Sequence, residues 1–139
     1  MVVYKATCTK CGHHYIGNTQ QKLKIRMSQH FGETKELVRK GTPADTFDAH
    51  FASHFKKGEK ISVGDVRSLV KLEIISKGNP ITCMKSFNTL SCSLCMKERL
   101  AILEASRKNA GVLINSCSEI YGACRHCTRF HRYLRTCQH

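Results

Sequence analysis

The residues of this chain best suited to chemistry come in pairs. Cys8 and Cys11 form a CxxC in TCTKCG, and His50 and His54 stand four apart, the interval that puts two side chains on one helix face. Together they make a Cys2His2 set, a donor composition that zinc takes in tetrahedral structural sites. The interval of 39 positions from Cys11 to His50 is far longer than the loop of a DNA-reading finger. Such a zinc would clip a hairpin to a distant helix, with His13 as the local competitor for a ligand position. A second set joins Cys92 and Cys95, at a helix start, to Cys124 and His126, with Cys127 or His131 as the alternative fourth ligand. Cys83 and Cys117 have no paired partner and read as small buried residues, and Cys137 as a loose thiol near the terminus.

Other residues suit a different chemistry. Arg26 and His30 are four apart and share a helix face. Tyr4 and Tyr15 fall on neighbouring strands of a hairpin, and Glu98 follows Cys95 by one helical turn. A metal at Cys95 would fix the start of that helix and so aim Glu98. Two tyrosines, an arginine, a histidine and one carboxylate are the parts of a single-metal phosphodiester hydrolase. The metal needs a hard oxygen ligand, the developing phosphate charge needs a guanidinium, and the attacking water needs a base.

These residues need elements to hold them. Residues 2–7 and 13–17 read as two short strands around the turn TKCG. TQQKLKIRMSQHF reads as a helix capped by Thr19 and stopped at Gly32, with ETKELVRK a further polar helical piece or loop. ADTFDAHFASHF reads as a second helix capped by Asp45 or Thr46, with Phe47, Phe51 and Phe55 on one face. KKGEKISVGD reads as a loop, SLVKLEIIS as a strand, and residues 77–91 as irregular. CSLCMKERLAILEASRK is a helix offering Leu94, Leu100, Ile102 and Leu103 to a core. VLIN is a short extended segment, SEIYGACRH a short helix, and the tail is basic and aromatic. The expected fold is therefore α+β, a small antiparallel three-stranded sheet flanked by helices, with two structural zinc sites. A single domain is expected over 1–139, with the hairpin, helices and third strand in 1–76 and the glutamate helix and zinc-binding basic tail in 92–139.

Composition bounds the partners. Lys plus Arg is 23 against 10 for Asp plus Glu, a formal net charge of +13 that suits a polyanion, with nucleic acid first. Residues 1–20 lack the apolar core of a secretory signal, and no apolar run is long enough to span a membrane. Nine cysteines with three CxxC pairs then read as metal ligands in a reducing compartment, nuclear or otherwise intracellular. A cysteine redox protein would want a CxxC beside a βαβ pattern, which this sequence does not offer.

Taken in order, these motifs resemble a known family. Val2-Val3-Tyr4, then Tyr15-Ile16-Gly17, then Arg26 and His30 in LKIRMSQH, resemble the GIY-YIG nucleases. CSLCMKERLAIL resembles the helix that carries that family's metal-binding glutamate, which falls on Glu98. LIN places Asn115 where the family often has a structural or phosphate-contacting asparagine. The cysteines between the tyrosine motifs and the downstream histidine pair resemble the endonuclease domain of Penelope-like retroelements. The likeness covers most of the chain. The first motif departs from it by lacking its glycine and isoleucine, and no reverse transcriptase precedes the domain, so the resemblance implies a fragment or a stand-alone relic.

What the resemblance implies is metal-dependent hydrolysis of DNA, nicking a target for retroelement insertion. Glu98 would hold Mg²⁺ or Mn²⁺, Tyr4 would take the proton of the attacking water directly or through His30, Arg26 would meet the phosphate charge, and Tyr15 would bond the phosphate or align the water. Lys22 and Lys24 beside that helix, with Arg125, Arg129 and Arg132 in the tail, would contact the DNA backbone. A reverse transcriptase in cis or in trans is the further partner implied, and no membrane. The competing expectation is a zinc-stabilised nucleic-acid-binding module without catalysis.

Overall fold

The alternation of side chains along one central strand organises the molecule. The computed structural model describes residues 1–41, 46–78, 83–86, 89–116 and 119. Strand β1 (Val2–Cys8) lies between β2 (His14–Thr19) and β3 (Val70–Lys77), antiparallel to both. Val3 points to one side and Tyr4, Ala6 and Cys8 to the other, as a pleated strand requires. On the first side Val3 and Ile16 pack with Leu94, Cys95 and Ile102 of α4 (Ser93–Asn109). On the second, Tyr4, Ala6 and Cys8 pack with Met27 and Phe31 of α1 (Leu23–Lys40), Phe47 and Phe51 of α2 (Thr46–Ala52) and Val66 of α3 (Val63–Ser68). The fold is α+β, a small three-stranded antiparallel sheet flanked by helices, as the sequence predicts.

Four local expectations are corrected. First, α1 runs through Gly32 to Lys40, and Thr19 ends β2 instead of capping the helix. A helical glycine costs about 1 kcal/mol. Burial of Met27, His30, Phe31, Thr34 and Val38 on one face outweighs it. The helix stops at Gly41, whose φ of 67° suits a left-handed C-cap and whose N–H reaches the Leu37 carbonyl at 2.6 Å. Second, the segment read as a loop leads into α3. Its cap, Ser62, accepts from Asp65 N at 3.2 Å, and Asp65 accepts from Ser62 N at 2.7 Å.

Third, residues 77–91 are not irregular throughout. A second hairpin pairs β4 (Cys83–Ser86) with β5 (Thr89–Cys92), and β5 runs directly into α4. Fourth, Leu100 and Leu103 are 62% and 42% exposed. The buried stripe of α4 is carried by Leu94, Cys95 and Ile102, with Glu98, Ala101 and Ala105 half-buried along it, and Leu100 and Leu103 fall off that stripe. Among the described residues no helix is long and apolar enough to cross a membrane.

Candidate functional site

The hairpin turn and α2 bring the predicted Cys2His2 set together. Cys8 closes β1, and the turn is tightened by Gly12 N to Cys8 O at 2.9 Å and Cys8 N to His13 O at 2.7 Å. Gly12 has a φ of 76°, a conformation that favours glycine. Phe47 and Phe51 anchor α2 in the core, His50 leaves its last turn, and His54 follows just beyond it. The ligand atoms of Cys8, Cys11, His50 and His54 all lie within 4.8 Å of one another.

The set fits the chemistry of zinc. Bonds of about 2.3 Å to sulfur and 2.0–2.1 Å to nitrogen in a tetrahedron separate S from N by about 3.5 Å. The sulfur–nitrogen distances here are 3.2 Å for Cys8–His54, 3.4 Å for Cys11–His50 and 3.8 Å for Cys11–His54. These four residues can therefore hold a metal ion, and a zinc ion suits them. Partial burial, with neighbouring positive charge, pulls both His50 and His54 below the usual imidazole range, which keeps their lone pairs available. Burial pushes the Cys8 thiol up. Desolvation also pushes Cys11 up, but hydrogen bonds from the backbone and ring of His13 and from Cys8 outweigh it, and its net shift is downward.

His13 has another task. Its Nδ1 lies 3.0 Å from Cys11 Sγ and its Nε2 lies 3.1 Å from the carbonyl of Gly111. It stands behind a ligand, linking the turn to the short 3₁₀ helix at Ala110–Val112. Such an outer contact orients a first ligand and tunes its sulfur.

Two members of the second cysteine set are described. Cys92 and Cys95 are buried where β5 passes into α4, and the Cys95 N–H points at Cys92 Sγ at 3.4 Å. Their expected co-ligands Cys124, His126, Cys127 and His131 lie outside the described residues, as do Arg125, Arg129 and Arg132, the cysteines Cys117 and Cys137, and the side chain of Cys83.

The two tyrosines meet at Gly17. A Cβ on Gly17 would lie 2.7 Å from the Tyr4 hydroxyl and 2.8 Å from the Tyr15 ring, so only glycine leaves room for both. Tyr4 is 1% exposed. The Tyr15 ring meets Phe47 edge-on at 5.4 Å, and Phe47 also packs against His30, 4.3 Å between centroids. Tyr4, Tyr15 and His30 thus share the layer between the sheet, α1 and α2. Arg26 lies one turn before His30 and bonds Gln29 at 3.4 Å, and Lys22 and Lys24 are exposed at the start of α1.

Glu98 and Asn115 reach the sheet elsewhere. Glu98 accepts a hydrogen bond from Asn18 at 2.5 Å. Asn18 also approaches Cys95, so its side chain lies on the α4 side of β2, opposite the tyrosines. Asn115 accepts from Ile16 N at 2.8 Å and donates to Ile16 O at 2.7 Å, which occupies the outer edge of β2.

Sequence reasoning missed several polar partners. Tyr15 OH donates to Glu119 at 3.2 Å, as does Thr46 at 3.3 Å, and Glu119 also receives Ser116 N at 2.8 Å. The available signal was Ser116-x-x-Glu119, a capping-box pattern. His30 Nδ1 lies 3.2 Å from Asp48 and 3.9 Å from Glu33, and the Thr34 hydroxyl donates to Asp48 at 3.1 Å. Here the signal was a polar residue on the phenylalanine face of α2: Asp48 is three before Phe51. His30 Nε2 is buried with no hydrogen-bond partner among the described residues, an arrangement that costs about 1–3 kcal/mol.

No family model matches the chain, and comparison with curated proteins and with solved structures found no match.

Proposed function

We propose that this chain is a metal-dependent endonuclease of the GIY-YIG type, hydrolysing DNA phosphodiester bonds to nick a target for retroelement insertion. The observation that carries the reading is the pair of tyrosine hydroxyl-bearing rings brought together over Gly17, in one layer with His30. Tyr4 takes the proton of the attacking water, with His30 as its relay or as the base itself. Arg26, at the partly exposed start of α1, meets the phosphate charge. Tyr15, steadied by its bond to Glu119, aligns the water or the phosphate. Glu98 is half-buried and offers a hard oxygen, which suits Mg²⁺ or Mn²⁺. Bound there, the ion supplies charge stabilisation to the phosphate and the leaving oxygen. Asn115 is a strand clip in this scheme, consistent with its two bonds to Ile16.

Zinc serves structure in this reading, at Cys8, Cys11, His50 and His54 and again at Cys92, Cys95, Cys124 and His126. The net charge of +13 supports a DNA partner, with Lys22 and Lys24 among its contacts. The resemblance to retroelement nucleases implies, beyond that, a nuclear site of action and a reverse transcriptase in cis or in trans.

One observation favours the second reading, a zinc-stabilised nucleic-acid-binding module without catalysis. Glu98 is engaged on the α4 side of β2, while the tyrosines lie on the other. Plasmid nicking with Mg²⁺ or Mn²⁺ separates the two. The nuclease reading expects nicked circles from wild type and none from Glu98→Ala, with DNA binding kept in both. Equal nicking by the two proteins sinks the assignment of Glu98, and binding without nicking under either metal selects the module.

A further inference from the structure

The geometry points to Asp48 as a positioning residue that holds His30 in a single tautomer, its proton on Nδ1 and its Nε2 lone pair reserved for a reacting group. The purpose of that arrangement rests on the nuclease reading above, but the arrangement itself does not.

An ionised carboxylate only accepts hydrogen bonds, so the contact of 3.2 Å between Asp48 and His30 Nδ1 requires Nδ1 to carry the proton. A neutral imidazole has one N–H, and Nε2 is then bare. Nε2 is enclosed and has no hydrogen-bond partner among the described residues. The doubly protonated ring would leave a buried N–H donor in that same place, which is harder to accommodate than a bare lone pair. The groups facing His30 favour a proton on Nδ1. Glu33, from its own helix, adds negative charge on the Nδ1 side at 3.9 Å, and from α2 come Asp48 and the Phe47 ring. Arg26 stands one turn away along α1.

Packing alone does not call for a carboxylate at position 48. It is 3% exposed, on the helix face that carries Phe51, where an apolar side chain would avoid the desolvation of a charge. Its orientation is nevertheless held by contacts that include His30 and the fully buried Thr34 hydroxyl. A carboxylate held this way orients the ring and selects its tautomer. The lone pair it frees lies in the layer that also buries Tyr4, the residue given the water proton above. Asp48 acts through His30 and touches no reacting atom.

The test reads the tautomer directly, on the full chain loaded with zinc. Long-range ¹H–¹⁵N correlation of histidine-labelled protein at pH 8 is expected to show His30 protonated at Nδ1 and bare at Nε2. In Asp48→Asn the carboxamide can offer its own N–H to Nδ1, so the proton should move to Nε2, and nicking should fall roughly 10²–10⁴-fold. Thr34→Val, which keeps the carboxylate beside Nδ1, should retain the wild-type tautomer. A wild-type His30 protonated at Nε2 overturns the proposal. So does an Asp48→Asn tautomer identical to wild type, or a shifted tautomer with nicking unchanged. If Asp48→Asn fails to fold, the wild-type spectrum decides. The Nδ1 tautomer in a protein that nicks nothing supports the assignment and overturns the nuclease reading instead.

Discussion

At the scale of single residues, small changes in side-chain volume and charge decide what the sheet can hold. Gly17 does not need glycine for its backbone angles; it needs glycine because two tyrosines occupy the space of a methyl group. The Tyr4 ring is buried and cannot swing into solvent, so Gly17→Ala forces the sheet or the rings to shift. Overpacking of this kind costs about 1–3 kcal/mol. A urea titration of Gly17→Ala should show a lower midpoint at an unchanged slope, and an unchanged midpoint would mean the rings are loosely held. Glu33 poses the opposite problem, one of charge. Burial, together with hydrogen bonding and repulsion from Asp48, lifts its carboxyl above the usual range, against the pull of His30 and Arg26. Its stabilising contribution is therefore present below the ordinary glutamate range and is lost as pH rises through the raised folded value. Ionised at neutral pH, it costs stability. Glu33→Gln should melt slightly higher than wild type at pH 7, with the gap closing toward pH 4. A gap that widens in acid would reverse the sign assigned here.

At the scale of elements, the question is how a two-sided sheet protects its edge. The outer edge of β2 is met by the segment after α4: Ile114 N bonds His14 O at 2.8 Å, and the Asn115 amide bonds both backbone groups of Ile16. Asn115→Ala leaves a backbone donor and acceptor half-buried, a loss of about 1–3 kcal/mol. The Ile16 amide should then exchange with solvent much faster than in wild type, while amides in the middle of α1 hold. Uniform loss of protection would show that Asn115 supports more than an edge. This contact also shows where sequence reading ends. The hairpin was legible because its pattern and turn are local, and the Cys2His2 set because CxxC and the i, i+4 histidines are local halves of one site. The partner of Asn115 is 99 positions away, and no periodicity encodes it. The contact of His30 with Asp48 was half legible: the helix spacing gave His30, but Asp48 belongs to another helix. Gly32 misled because helix propensity is a weak prior beside five buried side chains on one face. α3 was missed although Ser62 and Asp65 carry a capping box, because its single buried residue, Val66, makes no periodic stripe.

At the scale of the whole molecule, the sheet separates two cores, and the Cys2His2 set ties only one of them. Cys8 belongs to the core shared by α1, α2 and α3, and His50 and His54 follow from the phenylalanines of that same core. A metal there joins the turn of the first hairpin to α2, closing contacts whose partners are 39 to 46 positions apart. The core beneath α4 has its own apolar set, Val3, Ile16, Leu94 and Ile102, with no share in these ligands. An ion that binds only the folded form adds about 2.7 kcal/mol at a hundred times its dissociation constant. For a chain of this size that is a melting shift of about 5–11 °C. Because the second cysteine set also attracts zinc in the proposed scheme, chelation alone does not isolate the clip. His50→Ala does: it removes one ligand outside the sheet and leaves Cys92 and Cys95 untouched. Metal analysis of purified His50→Ala should show about one zinc fewer per chain than wild type. Its melting point should fall by an amount of the same order as that shift. Hydrogen exchange should quicken first in the turn around Cys11 and in α2, with α4 amides close to wild type, because the sheet stands between them. Equal metal content in the two proteins would show that these four residues hold no ion. A loss of protection spread evenly into α4 would show that the sheet does not insulate one core from the other.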